Sequence, residues 1–334
     1  MLAQRFLSFF LALLTLVAVA AATASPFLCT GGSIYFTANT ADSLLYHNPD
    51  LLHDLYVFKC VTTVVFTADS GGDAANHTTV LEHERGLEEA YKFMNDASYR
   101  LAKTTRDNSD SEQSAHPESG KEELVRTETM IKVGKHNITA SSLGGMPNAQ
   151  ILYLRLPAST QTGQGYEAFG NETLKRLYKK QIPHITTTDG TAMYTLDDMK
   201  DVISTILRDR KANTLRVLNH LASLLADDDD DVEVEHPDRI VSAKLVVDVV
   251  KEEQIKGSIQ AYASDFMRKL DANLNTADFN DKAATYFEYA KRAPDRCQSL
   301  KECADRLKDA QAASHPYDEQ DYISRFLKRE YYAS

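Results

Sequence analysis

The sequence predicts an α/β fold: a Rossmann-like three-layer domain with a mostly parallel sheet, closed by C-terminal helices. Three observations predict it. Short apolar, β-branched runs recur at Ser33–Thr37, Val57–Thr67, Ile151–Leu156 and Thr214–Leu218, the pattern of strands covered on both faces. Amphipathic helical periodicities fall between them, and strands alternating with helices imply parallel crossovers. The chain has 334 residues, 43% hydrophobic and 25% charged, enough apolar material for one large core and unlike a disordered chain.

Taken in order, residues 1–24 read as a sorting segment. Arg5 precedes an apolar run from Phe6 to about Ala22, and Ala22-Thr23-Ala24 supplies a small-x-small cleavage pattern. These are the parts of a secretory signal peptide, which leaves 25–334 as one domain. The apolar run is close to the lower limit for spanning a bilayer, so an uncleaved signal anchor in the endoplasmic-reticulum membrane is the alternative. Secretion, or residence in the endoplasmic-reticulum lumen, is the expectation, with no membrane span after cleavage. Three N-x-[ST] sequons, at Asn76, Asn137 and Asn171, agree with export. So does the even cysteine count. Cys29, Cys60, Cys297 and Cys303 allow three connectivities. In one of them Cys29–Cys60 ties two early strands and Cys297–Cys303 closes a short local loop.

Ser33–Thr37 follows Gly31-Gly32 and reads as the first strand, and Val57–Thr67 as the second. Between them, Leu44–Leu55 predicts a short helix interrupted at Asn48-Pro49. His83, Leu87, Ala90, Tyr91 and Met94 recur at helical spacing, so 80–95 is helical. Residues 104–127 are polar and read as a surface insertion. Strand patterns return at Met130–Val133 and Ile151–Leu156. Thr195 and Asp198 form a capping box ahead of Leu196, Met199, Ile203 and Ile206. Thr214–Leu218 is a further strand. Asp227–Asp231 is a carboxylate run, read as a solvated loop without the alternating ligands of a calcium loop. Pro237 opens a helix carrying Ile240, Ala243, Val247 and Val250 on one stripe. The remainder, 256–334, is helical in pattern.

Charge narrows the function classes. Lys+Arg number 37 against Asp+Glu 48, a net of −11, so the cationic surface that nucleic-acid binding requires is not expected. In a parallel sheet, ligands sit beyond the carboxyl ends of the strands. That selects Ala38–Asp50, Ala68–Asp73 and Glu235–Arg239 as the segments to carry chemistry.

These segments, in this order, resemble the secreted branch of the PIG-L/LmbE-like family of N-acetylglucosaminyl-phosphatidylinositol de-N-acetylases. The family's Ala-His-Pro-Asp-Asp motif after the first strand is matched by Ala38-Asn39-Thr40-Ala41-Asp42, continuing through Leu44-Leu45 to Asn48-Pro49-Asp50-Leu51. Thr67-Ala68-Asp69 is similar to its Thr-Ala-Gly-Asp turn, and Glu84, Gly86, Ala90 and Tyr91 fall on its Arg-Glu-x-Gly helix. Leu154-Arg155-Leu156-Pro157, Gly165-Tyr166, Thr188-Asp189-Gly190 and His236-Pro237-Asp238 continue the match along nearly the whole mature chain.

The resemblance implies metal-dependent amide hydrolysis: a zinc ion on three protein ligands, with a carboxylate that takes the proton of the bound water. Position by position, this chain departs from it. The histidine ligand corresponds to Asn39, the base to Ala41, and the last histidine ligand to Arg239, a cation with no lone pair to give. Asp42 keeps the aspartate ligand, and His236 is retained. No cofactor is therefore predicted, and Asn39, Asp42 and Arg239 read as a vestigial metal site in which Arg239 pairs with Asp42. The function expected is that of an exported family member without zinc chemistry, a pseudoenzyme that keeps binding to an N-acetylated sugar or glycan. The alternative is a deacetylase of N-acetyl sugars acting through a rearranged metal site, for which His47 and Asp50 offer the i, i+3 spacing.

Overall fold

The computed structural model describes residues 25–68, 77–107, 126–224, 235–313 and 318–333. The signal segment 1–24, the sequon at Asn76, Asp69–Asp73 and the acidic run Asp227–Asp231 lie outside the described residues. Seven strands form one sheet: β1 (Ser33–Thr37), β2 (Val61–Ala68), β3 (Arg126–Val133), β4 (His136–Leu143), β5 (Ala149–Pro157), and, after a separate two-stranded β6 (Ile185–Thr186) and β7 (Met193–Tyr194), β8 (Thr214–Leu218) and β9 (Ser258–Tyr262). Their order is β3-β4-β5-β2-β1-β8-β9. Pairings β1–β2, β2–β5, β1–β8 and β8–β9 are parallel; β3 and β4 add an antiparallel hairpin on β5.

Helices cover both faces: α1 (Asp42–Tyr46), α2 (Asp50–Tyr56), α3 (His77–Asp107), α4 (Leu174–Tyr178), α5 (Leu196–Arg210), α6 (Pro237–Glu252), α7 (Thr276–Ala290), α8 (Leu300–Ala313) and α9 (Ile323–Phe326). The period-2 geometry of the strands splits the core in two. Tyr35, Val61, Val65, Ile151 and Tyr153 join the cluster under α1–α3 and α7. Ile34, Phe36, Val64, Phe66 and Leu152 join the one under α5 and α6. That is the three-layer α/β arrangement.

Several element boundaries depart from the sequence expectations, each for a physical reason. The second strand begins at Val61, because Val57–Cys60 close α2 and Phe58 adopts a left-handed φ of 53°. The helix expected over 80–95 runs from His77 to Asp107. The polar segment 104–127 therefore keeps only 108–125 as its connection, and these residues lie outside the described ones. β4 (HNITASSL) carries only a brief apolar alternation, Ile138 and Ala140, within a polar run; it forms because β5 offers an open antiparallel edge. Residues 256–334 are not helical throughout. β9 (SIQAY) pairs in parallel with β8, and Tyr332 makes an antiparallel bridge to Tyr262 at its outer edge.

Other expectations hold closely. The helix broken at Asn48-Pro49 is present as α1 and α2. Thr195 and Asp198 make both halves of the capping box. Both disulfides form, Cys29–Cys60 and Cys297–Cys303, a pairing suited to an oxidising environment. Asn137 and Asn171 are exposed. Among the described residues no helix is long and apolar enough to cross a membrane.

Two packing features carry predictions. Gly86 lets α3 approach α7 closely: a Cβ there would stand 2.8 Å from the Tyr289 carbonyl oxygen and 3.0 Å from its ring. Gly86→Ala should therefore lower unfolding free energy by about 1–3 kcal/mol in urea titrations. His47 is completely buried, edge-on to Tyr35 and Tyr262 at 5.3 and 4.6 Å. Burial first, and then the Arg216 charge, push its imidazole down to about 3. The unfolded chain takes this proton near pH 6.5 while the folded chain refuses it, so His47 favours folding above that pH and the benefit is lost as pH falls. The stability difference between wild type and His47→Gln should change by up to about 1.4 kcal/mol per pH unit between pH 6 and 4, and a flat difference would refute the assignment.

Candidate functional site

The chain leaves β1 in one direction for β2 and returns to its other side as β8, so the topological switch point lies between β1 and β8. At such a point the loops beyond the carboxyl ends diverge and leave a crevice. β1 delivers Ala38–Ala41 and then the first turn of α1; the β8 connection delivers Glu235 and then the first turn of α6.

The first of these loops is fixed by its own short side chains. Asn39 Oδ1 accepts the Ala41 N–H at 3.1 Å, and Asp42 Oδ2 accepts the Asn39 N–H at 2.9 Å. This reciprocal pairing uses backbone donors that α1 would otherwise leave open. At the second, His236 caps α6: its Nδ1 accepts the Asp238 N–H at 3.3 Å, with Pro237 in the first turn. The same helix turn points Arg239 back under β1, where it is 1% exposed.

There the guanidinium is enclosed by carboxylates. Nε donates to Asp42 Oδ1 at 2.9 Å and Nη1 to Asp265 Oδ1 at 2.7 Å, while Nη2 pairs with Glu319 Oε2. Its plane also lies over the Tyr46 ring, 4.8 Å from the centroid. Residues 42 and 239, 197 positions apart in sequence, are thus in direct contact. Behind them, Asp265 Oδ2 accepts the His236 N–H at 2.8 Å, and Glu235 accepts from the Ser264 hydroxyl and, at 2.7 Å, from the Asp265 N–H. Burial is the largest influence on Asp42 and pushes it up to about 6; the Arg239 charge opposes this and Glu319 adds to it. The three carboxylates hold Arg239 well above its usual range despite burial. Burial, then the Asp265 charge, also raises Glu235.

The residues present do not fit the zinc ion that the resemblance implies. Both Asp42 oxygens and the Asn39 side-chain oxygen are already engaged by N–H donors, and a guanidinium stands where a third ligand would be needed. Ala41 offers a methyl group where a base would be needed. Among the described residues no group of three or more His, Cys, Asp or Glu side chains is placed to hold a metal. The other spacing, His47 with Asp50, does not form a site either. Asp50 accepts from Arg216 at 2.5 Å, Tyr262 at 2.5 Å and Tyr332 at 2.9 Å, and so belongs to the packing of α2 on β8 and β9.

Above this cluster opens a cleft of about 300 Å³, whose walls include Asn39, Thr67, Ser159, Tyr166, His236 and Glu319. It brings together the ends of β1, β2 and β5, the start of α6 and the segment before α9. Glu84, singled out beside Gly86, makes a two-pronged pair with Arg155 at 2.7 and 2.6 Å. Arg155 sits at a β-bulge of β5 with φ 52°, and Asp189 faces it at 3.9 Å. That cluster braces the β5 end of the cleft.

Two members of the Arg239 cluster were not foreseen. Asp265 follows β9, so reading SIQAY as a strand would have placed it by the same rule as the others. Glu319 follows no strand, and nothing local marks it.

Removing the central cation leaves buried carboxylates without a partner, which costs far more than the pair contributes. Arg239→Met should destabilise the protein by about 3–5 kcal/mol in chemical denaturation. Adding Asp42→Asn to that variant should recover part of the loss, and strict additivity of the two changes would argue against the contact.

No family model matches the chain, and no curated protein matches it. Among solved structures, the conserved protein TT1542 from Thermus thermophilus is similar over 86% of this chain and 92% of its own, at 10% identity and a TM-score of 0.36. A likeness of that strength carries no argument about function.

Proposed function

We propose that this chain is an exported carbohydrate-binding protein on a PIG-L/LmbE-like frame, without zinc-dependent de-N-acetylation. The observation that supports this reading is the enclosure of Arg239 by Asp42, Asp265 and Glu319. A fixed, internal cation takes the electrostatic role that a metal has in a hydrolase, yet it offers no open coordination position and cannot acidify a water. Fold alone confers no activity once the residues of the reaction are gone.

What remains is a binding site. The cleft is rich in hydroxyl, amide and carboxylate groups, with Tyr166 as an aromatic wall, the mixture that suits a small polar ring. His236 presents a specific donor. Because Nδ1 accepts an N–H, the proton of the neutral imidazole is assigned to Nε2, available to a ligand oxygen. Export is supported by the two disulfides and by the exposure of Asn137 and Asn171.

The test is a pair of measurements on the mature chain after equilibration with zinc. Elemental analysis should find less than about a tenth of an equivalent of zinc, and incubation with N-acetylglucosamine should release no acetate above a protein-free control. Stoichiometric zinc accompanied by acetate release would establish the deacetylase reading instead.

A further inference from the structure

Two carboxylates of the cleft are incompletely satisfied. Asp238 and Glu319, from separate segments, both line it. Asp238 is 1% exposed; its Oδ2 accepts the Ser159 N–H at 2.7 Å, while its Oδ1 has no hydrogen-bond partner. Glu319 gives Oε2 to Arg239, while its Oε1 likewise has no hydrogen-bond partner. A buried acceptor left without a donor is costly, so each oxygen is a position where a ligand donor gains more than it would in water.

The surroundings add charge to this preference. Beneath the cleft, Asp42, Asp265 and Glu319 share a single guanidinium, and Glu235 lies against Asp265. Arg296, on the cleft wall, already faces Asp295 at 3.2 Å. The site therefore carries excess negative charge, on a protein whose net charge is −11, and such a cleft concentrates cations.

We propose that the cleft selects a hydroxylated ring bearing a free ammonium group, a hexosamine, over its N-acetylated and unsubstituted counterparts. This deepens the carbohydrate reading above and rests on it. A carboxylate oxygen only accepts. An ammonium brings three N–H donors and a positive charge to these two incompletely paired carboxylates, and charge-assisted hydrogen bonds are the stronger kind. An acetamide brings one N–H and turns a carbonyl oxygen, itself an acceptor, toward the same carboxylates. A plain hydroxyl brings one donor and no charge. The ring hydroxyls meet His236 and the hydroxyl-rich wall at Ser159 and Thr160.

The experiment is calorimetric or ligand-observed NMR titration of the intact mature protein with glucosamine, N-acetylglucosamine and glucose at pH 6. Glucosamine should bind at least about tenfold more tightly than either of the others. Asp238→Asn and Glu319→Gln should each shrink that preference, read as the ratio of glucosamine to glucose affinity, by about fivefold or more. Glu319, on the more exposed segment, keeps the comparison available if the Asp238 variant does not fold. Equal or tighter binding of N-acetylglucosamine would overturn the inference and leave the carbohydrate reading standing. Binding of none of the three would overturn both.

Discussion

A buried guanidinium in contact with three carboxylates is the constraint around which this end of the molecule is arranged. Arg239 sits at the switch point of the sheet, and each of its partners comes from a different part of the chain: Asp42 after β1, Asp265 after β9, and Glu319 before α9. A charge taken out of water at this depth persists only with complete compensation. The cluster therefore fixes the start of α6 against the start of α1. It also draws the C-terminal segment over the strand ends, where it becomes a wall of the cleft.

The same electrostatics connect fold to function. A hydrolytic metal site needs a cation with an open coordination position and a base beside it. Here the positive charge is part of the chain and its donors point at buried carboxylates. The polar cleft above has its other walls on β1, β2, β5 and α6, which are set by core packing. A second charged cluster, around Arg216 with Asp50 and Asp54, closes the β8–β9 edge of the sheet. There, charge contributes order to the packing of α2 on β8 and β9.

Much of this was legible in the residues themselves. The strand runs Ser33–Thr37 and Thr214–Leu218, the capping box at Thr195 and the break at Asn48-Pro49 are signalled by composition over a few residues, and they form where expected. The Arg239–Asp42 contact was legible by a longer route, through the resemblance, which sets both residues against ligands of one site. β4 and β9 were less so. Each is a polar or short segment made a strand by its neighbour's open edge, information that no local window contains.

The sequence by itself determined the layered α/β class and the segments that follow the central strands, with Asn39, Asp42 and Arg239 among their residues. These follow from side-chain chemistry and short-range periodicity, which are properties of neighbouring residues. Only the tertiary structure decided that Asp265 and Glu319 complete the enclosure of Arg239, and that two carboxylate oxygens are left without donors at the cleft. Satisfaction of a charge or a hydrogen bond is a matter of distance and burial, and both are set by packing between residues far apart in the chain.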